Sequence, residues 1–216
     1  MSGEVMRHTP AQNRMATIVH MYVCHLMAAC RNEGSQETSK GRKAEFFVNL
    51  FPPSKFFFTE TVPSISLLSY VQHIVAHVNC SPEAYIFALV YMKRLSAAGF
   101  PLETRSVYRI FLTAVVVAAR VRDDFLRSKK SYSVIGGVTT RDLNAMEFRF
   151  LADLLEYGVE VSIDEYRALC NEITILESSG KVDGLEGSPN ISGSASDEEP
   201  LNSPTPQWIL DCCLHW

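Results

Sequence analysis

The sequence predicts an all-α protein built around one buried helical domain. Apolar residues recur at helical spacing in several stretches between residues 15 and 177, and some of these stretches open with residues that cap helices. The chain has 216 residues, of which 47% are apolar. That is enough for one domain of ordinary size with a core and polar ends.

The N-terminal part of the chain predicts a leader and one helix. Residues 1–14 look like a flexible leader, whereas residues 15–31 predict a helix that is apolar on nearly every face and needs cover on several sides. Arginines precede this helix, so a signal or organellar presequence is the alternative. Its short length, with His20 and His25 inside it, favours a buried structural helix. A polar linker and a proline-broken aromatic connection complete an N-terminal segment at 15–61.

Two helices are predicted to open the main domain. The first covers 65–78, where apolar residues fall at helical spacing. The second begins at Ser81, a good N-cap, and has Pro82 at its first helical position. Gly99 suits the left-handed position that ends such a helix.

The next stretch, at about 104–121, predicts the central and most buried helix because its middle is apolar on every face. The valines at 115–117 would suit a strand by propensity, but the flanking residues supply the length that a helix needs. The sequence "SYSVIGG" at 131–137 predicts at most a short turn.

Two amphipathic helices are predicted to complete the domain. Residues 139–158 predict one long helix with a threonine cap and a glycine stop. The last helix, at 162–177, begins with a capping box between Ser162 and Glu165.

Residues 178–216 predict a largely disordered acidic tail that is rich in serine and proline. Too little apolar surface is available there to offset the entropy cost of ordering the chain. Ser203 and Thr205 each precede a proline, and Ser196 precedes acidic residues, so all three are candidate phosphorylation sites. The alternative is a plain solvated tail, because such short motifs often arise by chance.

The motifs of common enzymes and metal sites are absent from the sequence. It contains no phosphate-cradling glycine loop, zinc-ligand spacing or nucleophile elbow, so we expect no enzyme, no cofactor and no small-molecule substrate. His73 and His77 share a helix face, and Cys212, Cys213 and His215 crowd the C-terminus. Packing or exposure is a simpler interpretation of both groups than a metal site.

The net charge bears on the class of partner, and the cysteine pattern bears on the cellular location of the protein. The net charge of −4 argues against a dedicated nucleic-acid binder, and no apolar run of membrane length is evident. The six cysteines are scattered, without CxxC pairs. This pattern predicts a reduced, intracellular protein of the cytoplasm, the nucleus or both.

Four stretches of the sequence form a recognisable series. They are "VPSISLLSYVQHI", "NCSPEAYIFALVYMKRL", "VYRIFLTAVVVAARVRDD" and "IGGVTTRDLNAMEFRFL". Their order and spacing from about Val62 to Ile173 resemble the cyclin box, in the single-box P/U-type class that is similar to phosphate-pathway cyclins. The resemblance implies a cyclin box at 62–177, with five helices around a central third helix, plus the N-terminal helix.

The resemblance also implies a function. Cyclins bind and activate cyclin-dependent serine/threonine kinases and carry no catalytic residues of their own. They position the regulatory helix of the kinase, whose glutamate must pair with the ATP-binding lysine for phosphoryl transfer. The alternative is a cyclin-fold scaffold or transcription-factor-like adaptor that activates no kinase; that class usually has two boxes and a basic face.

Two family positions carry the implied kinase contact. Arg120 stands where the family has a lysine at the end of its third helix, and Glu147 matches the glutamate of the fifth helix. Helical spacing puts Leu143 and Asn144 on the face of Glu147. The charged run at 120–124 is therefore expected to be the rim of the partner site. The simpler alternative for Arg120 is a cation that favours the helix dipole.

Reversing the charge of Arg120 or Glu147 is expected to abolish kinase binding and leave stability nearly unchanged. A surface charge reversal at Glu165 is expected to have little effect on kinase binding and serves as the control.

The sequence departs from the family pattern in two places. His73 and Lys93 stand where the family usually has an arginine–aspartate pair inside the box, and these two replacements cannot attract each other. We expect the first two box helices to be locked differently. The helix that carries Glu147 is also one residue longer than usual in the family, so interface residues after Leu151 are not carried over.

Overall fold

The computed structural model describes residues 9–32 and 56–179, which form seven α-helices. These are α1 (Pro10–Asn32), α2 (Leu67–Val78), α3 (Pro82–Ala97), α4 (Val107–Arg122), α5 (Lys129–Ile135), α6 (Thr140–Arg149) and α7 (Ile163–Ser179). A π-helical turn at Phe150–Leu154 continues α6. The described ranges contain no β-strand, and the all-α prediction is confirmed.

Helix α4 is the centre of the domain. From Val107 to Ala119 every residue except Arg109 is buried. Helices α2, α3 and α6 pack against α4, and α5 packs against α2 and α6. The predicted five-helix arrangement around a central third helix therefore corresponds to α2–α6, with α4 in the middle.

Helix α1 is a structural helix that covers the domain. It packs against α2, α3 and α7 and buries Met15, Val19 and Tyr22. It begins at Pro10, inside the stretch predicted as a flexible leader. The reason is a capping box: Thr9 Oγ1 accepts from the Gln12 backbone N–H at 3.2 Å, and the Gln12 side chain accepts from the Thr9 N–H at 3.0 Å.

The predicted helix starts are confirmed by their caps. The Ser81 side chain accepts from the Ala84 N–H, and Pro82 follows at the first helical position. The same type of cap, with Ser66 as acceptor, starts α2. Gly99, just after α3, has a φ of 83° in the left-handed region, as predicted for its helix stop.

Helix α5 corrects the prediction of a short turn at 131–137. Ser128 caps α5 by accepting from the Ser131 N–H, and Tyr132, a residue of this helix, is buried. Gly136 then passes so close to α4 that an added Cβ would lie 2.2 Å from a Leu112 methyl carbon. The turn-like composition therefore hid a helix whose end is packed directly onto the core.

The predicted long helix at 139–158 is interrupted. It leaves regular α geometry at Phe150, where the Leu155 N–H donates to the Phe150 carbonyl five residues earlier at 2.9 Å. Glu156 and Tyr157 then adopt left-handed backbone with φ of 47° and 61°. A π-turn takes up one additional residue, which accounts for the extra length noted in this segment.

The tail beyond Ser179, with Ser196, Ser203 and Thr205, lies outside the described residues, as do residues 1–8 and 33–55. Cys212, Cys213 and His215 lie there too. Within the described ranges, no helix is both long and apolar enough to cross a lipid bilayer.

Candidate functional site

Three helices bring one acid and two cations together. Arg120 lies near the end of α4, Lys129 is the first residue of α5, and Glu147 lies on α6. Arg120 Nε donates to Glu147 Oε1 at 2.8 Å, and Lys129 Nζ lies 2.8 Å from Glu147 Oε2. Both carboxylate oxygens of Glu147 are thus bound by cations of the same chain. We call these three side chains the α4–α6 cluster.

The members of the α4–α6 cluster differ in exposure. The Glu147 side chain is 8% exposed, whereas the Arg120 and Lys129 side chains are 33% and 45% exposed. A carboxylate at this depth requires paired, hydrogen-bonded partners, because an unpaired buried charge is costly. The cations compensate the acid from the solvent side.

The two neighbours that spacing placed beside Glu147 differ in position. Asn144 Oδ1 accepts from Lys129 Nζ at 2.7 Å, so Asn144 borders the cluster at the surface. Leu143 is fully buried in the core. Its side chain offers no surface to a partner, because α6 turns that position towards the interior of the domain, and we do not carry it forward as a contact residue.

Exposed apolar side chains flank the cluster in sequence. Phe125, in the loop after α4, is 94% exposed, and Phe148, next to Glu147, is 60% exposed. Val121, next to Arg120, is also exposed. Large exposed aromatic side chains are typical of surfaces that bind another protein.

The charged run at 120–124 is divided between two tasks. Asp123 accepts from the Ser81 backbone N–H at 3.0 Å and from the Ser81 hydroxyl at 2.5 Å. It therefore ties the end of α4 to the start of α3. These hydrogen bonds give Asp123 a structural task within the chain, and a role of the whole run as a partner rim stays a prediction.

Lys129 is the site residue that the sequence interpretation missed. It directly follows the cap residue Ser128, but the prediction of at most a short turn at 131–137 gives no direction for a side chain just before that turn. The serine cap followed by Tyr132, which is buried, is the signal that could have placed Lys129 on a helix. Its distance from Glu147 depends on how α5 packs on α6, which spacing does not give.

His73 and Lys93, the two residues that depart from the family pattern, each contact other residues of this chain. Lys93 on α3 pairs with Glu172 on α7, and the Tyr22 hydroxyl of α1 donates to the same carboxylate at 2.7 Å. Burial alone would raise the pKa of Glu172, but the hydrogen bonds from Lys93 and Tyr22 outweigh it and lower the pKa. Helices α1, α3 and α7 are thus joined at Glu172, and α2, which carries His73, is not part of this contact.

The rings of His73 and His77 lie against each other at a tilt and are not arranged as ligands around a metal ion. Their ring centroids are 4.3 Å apart, His73 Nε2 lies 3.1 Å from the Ile135 carbonyl oxygen, and His77 Nδ1 lies 2.8 Å from the His73 carbonyl oxygen. Residues 9–32 and 56–179 contain no group of three or more His, Cys, Asp or Glu side chains that could hold a metal ion.

Comparison with known proteins identifies the family. The cyclin family model matches residues 15–158. Cyclin-U1-1 of Arabidopsis thaliana is 32% identical over 164 residues, which cover 74% of this chain and 72% of that protein. Cyclin-P3-1 of Oryza sativa subsp. japonica is 27% identical over 158 residues, covering 69% and 66%.

A shorter match adds a third relative. Cyclin-U4-2 of Arabidopsis thaliana is 32% identical over 115 residues, which are 52% of this chain. The chain spans about half the length of that relative, 53%. The family model covers more than half of the chain, including most of α1 and the helices that carry Arg120, Lys129 and Glu147. The chain belongs to the cyclin family.

Proposed function

We propose that this cyclin is a regulatory subunit that binds and activates a cyclin-dependent serine/threonine kinase. The observation that carries the proposal is the α4–α6 cluster: Glu147 is buried, and Arg120 and Lys129 hold it from the solvent side. A fixed group of charges that stabilises one helix end and remains reachable from outside is suited to docking a helix of another protein.

The proposed contact uses hydrogen bonds to set the register of the kinase helix. Arg120 uses Nε for Glu147, and its Nη groups make no hydrogen bond to any residue in the described ranges, so they can donate to a partner. The buried carboxylate holds the guanidinium in place while it does so. This preorganisation reduces the entropy cost of ordering an arginine on binding.

Apolar contact area would come from the side chains around the cluster. Phe125 and Phe148 are large, exposed and next to the cluster in sequence. Aromatic side chains at the centre of an interface commonly supply most of the binding energy, while charged groups fix orientation and reject wrong partners. We propose that these two phenylalanines are buried by the kinase.

Activation would be conformational. The bound cyclin holds the regulatory helix of the kinase in the position where its glutamate pairs with the ATP-binding lysine. In this scheme the chain supplies no catalytic group, cofactor or metal ion. We propose an intracellular protein without nucleic-acid or membrane partners, and Ser196, Ser203 and Thr205 stay candidate sites for phosphorylation.

The experiment is capture and activation with matched variants. The full chain is used as bait in extracts of its own cells, captured kinases are identified by mass spectrometry, and each is expressed alone and assayed with and without the chain. The wild type is expected to raise phosphorylation of a protein substrate, and Phe125→Ala is expected to lose most of that effect. A captured kinase with the same activity with and without the chain would exclude activation.

The control for the Phe125→Ala variant is Glu103→Lys. Glu103 is exposed just before the start of α4, at the end of that helix opposite Arg120. Thirteen residues separate Val107 from Arg120, which is roughly 20 Å along a helix. This control is expected to bind and activate like the wild type.

A further inference from the structure

The exposed part of the α4–α6 cluster is positive. Arg120 and Glu147 alone would be a neutral pair. Lys129 adds a second cation, and it is the most exposed of the three side chains, whereas the acid is almost fully covered. A partner that approaches this surface therefore meets two cations in front of one buried carboxylate.

The surrounding sequence reinforces this charge. Residues 120–130 contain five cations and two acids, Asp123 and Asp124, for a net charge of +3, although the whole chain is at −4. Asp123 is occupied by its two hydrogen bonds to Ser81 on the side of α3. It does not compensate Lys129, which is ion-paired with Glu147 and hydrogen-bonded to Asn144.

The hydrogen-bond inventory points the same way. An ammonium group has three donors and a guanidinium has five, and neither accepts. Lys129 uses one of its donors on Asn144 and forms an ion pair with Glu147, and Arg120 uses one donor on Glu147. The donors that remain make no hydrogen bond to any residue in the described ranges, and each Glu147 oxygen already has a cation as its partner. The cluster is thus complementary to acceptors of negative charge.

We propose that Lys129 is a specificity-determining residue that selects a kinase with a carboxylate facing the Arg120–Lys129 pair. The inference rests on the proposed kinase-binding function and adds to it the chemistry of the partner. A kinase that presents a lysine or arginine at that position would be rejected by like-charge repulsion.

The test compares two adjacent lysines. Lys129→Gln removes the net positive charge of the α4–α6 cluster, while Glu147 keeps its hydrogen bond to Arg120. Lys130→Gln is the matched control, because Lys130 is exposed, is the next residue and gives the same change in net charge. Lys129→Arg preserves the charge. Dissociation constants for the kinase that the wild type captures are measured at about 0.05 M and about 0.5 M salt.

The expected result depends on position and on salt. Lys129→Gln weakens binding about tenfold at low salt. The loss shrinks at high salt, because screening weakens the charge interaction in the wild type. Lys130→Gln changes affinity less than about twofold, as is usual for exposed charges, and Lys129→Arg stays close to the wild type. Carbodiimide, which joins amines directly to carboxylates, is expected to cross-link Lys129 to an Asp or Glu of the kinase.

The failure of this inference is distinguishable from the failure of the proposed function. If the wild type captures and activates no kinase, the proposed function falls and this inference falls with it. If the wild type binds a kinase and Lys129→Gln binds equally well, only the role of Lys129 is wrong. An equal loss at both salt concentrations, with a lowered melting temperature, would identify a structural role and overturn the inference.

Discussion

Arg94 and Glu165 face each other through two parallel hydrogen bonds, Nε to Oε1 at 2.7 Å and Nη2 to Oε2 at 2.6 Å. Arg94 also donates to the carbonyls of Gly158 at 2.5 Å and Glu160 at 2.6 Å. It therefore fastens the loop before α7 to the end of α3. The predicted capping box is half present, since Ser162 Oγ accepts from the Glu165 N–H at 3.2 Å and the carboxylate goes to Arg94.

This arrangement gives Arg94 and Glu165 a structural role, whereas the small effect of a Glu165 charge reversal on partner binding stays a prediction. Arg94→Met should lower the free energy of unfolding by about 1–3 kcal/mol, because two carbonyls and a carboxylate lose their donor. The measurement is urea unfolding of the full chain followed by circular dichroism. The control is Arg141→Met, an exposed arginine on α6, with an expected change within about 0.5 kcal/mol. Equal stability of the two variants would contradict this role of Arg94.

Acid should weaken the ion pairs on α7. Hydrogen bonds from Arg94 lower the pKa of Glu165, and those from Lys93 and Tyr22 lower the pKa of Glu172, in both cases from an ordinary value of 4.5. The unfolded chain therefore binds more protons than the folded one, and stability rises with pH. The contribution is complete above about pH 4.5 and is lost as the pH falls through the folded pKa.

The acid prediction is measured by comparing the wild type with Glu165→Gln/Glu172→Gln. The wild type should be more stable at pH 7, and the difference in unfolding free energy should shrink steadily below pH 4.5. A difference that stays constant from pH 7 to well below 4.5 would show that ionisation of these two carboxylates does not contribute.

Two adjacent glycines should respond differently to substitution. Gly136→Ala places a Cβ 2.2 Å from a carbon of the buried Leu112, so overpacking should cost about 1–3 kcal/mol. Gly137 has open space around a Cβ but a φ of 68°, so Gly137→Ala is strained by its backbone alone. Because asparagine tolerates left-handed backbone, Gly137→Asn should recover stability relative to Gly137→Ala, whereas Gly136→Asn should be worse than Gly136→Ala. Thermal melting of the four variants checks the predicted ranking of stability at each glycine.

The contact of α1 with α7 can be tested through Tyr22. Tyr22→Phe removes its hydrogen bond to Glu172 at little cost in packing, so the free energy of unfolding should fall by about 1–2 kcal/mol. In a Glu172→Met background the same substitution should have almost no effect, since the acceptor is absent. An equal loss in both backgrounds would mean that the tyrosine hydroxyl and Glu172 do not interact.

The sequence predicted the fold where local signals agree with tertiary packing. The all-round apolar stretch of α4 and the serine cap with proline at the start of α3 correctly indicated a central helix and its neighbour. It failed where packing overrides composition. Gly136 and Gly137 look like a turn, yet they end a helix that is held against Leu112. The Thr9–Gln12 capping box is a sequence signal for the start of α1, which the prediction of a leader at 1–14 does not use.

The site was predictable only in part for the same reason. Arg120 and Glu147 are recognisable from motif positions, and the structure joins them at 2.8 Å. The partners of Lys93 and Asp123 come from elements 79 and 42 residues away, which no local pattern indicates. The burial of Glu147 likewise depends on how three helices meet. Reversing its charge alone would place three cations together, so we expect Glu147→Lys to lower stability, contrary to the expectation from sequence.

The most direct test of the central claim is the kinase affinity of the charge-swapped variant Arg120→Glu/Glu147→Arg. The swap keeps one acid and two cations in the α4–α6 cluster and so should keep most of the stability, which a melting curve checks alongside Glu103→Lys as the binding control. It changes the groups that a partner meets. The loss of correctly placed charges should cost about 2–5 kcal/mol of binding free energy, roughly thirty-fold to several thousand-fold in the dissociation constant. A folded swap variant that binds and activates the kinase as well as the wild type would contradict the assignment of this cluster as the kinase-docking surface.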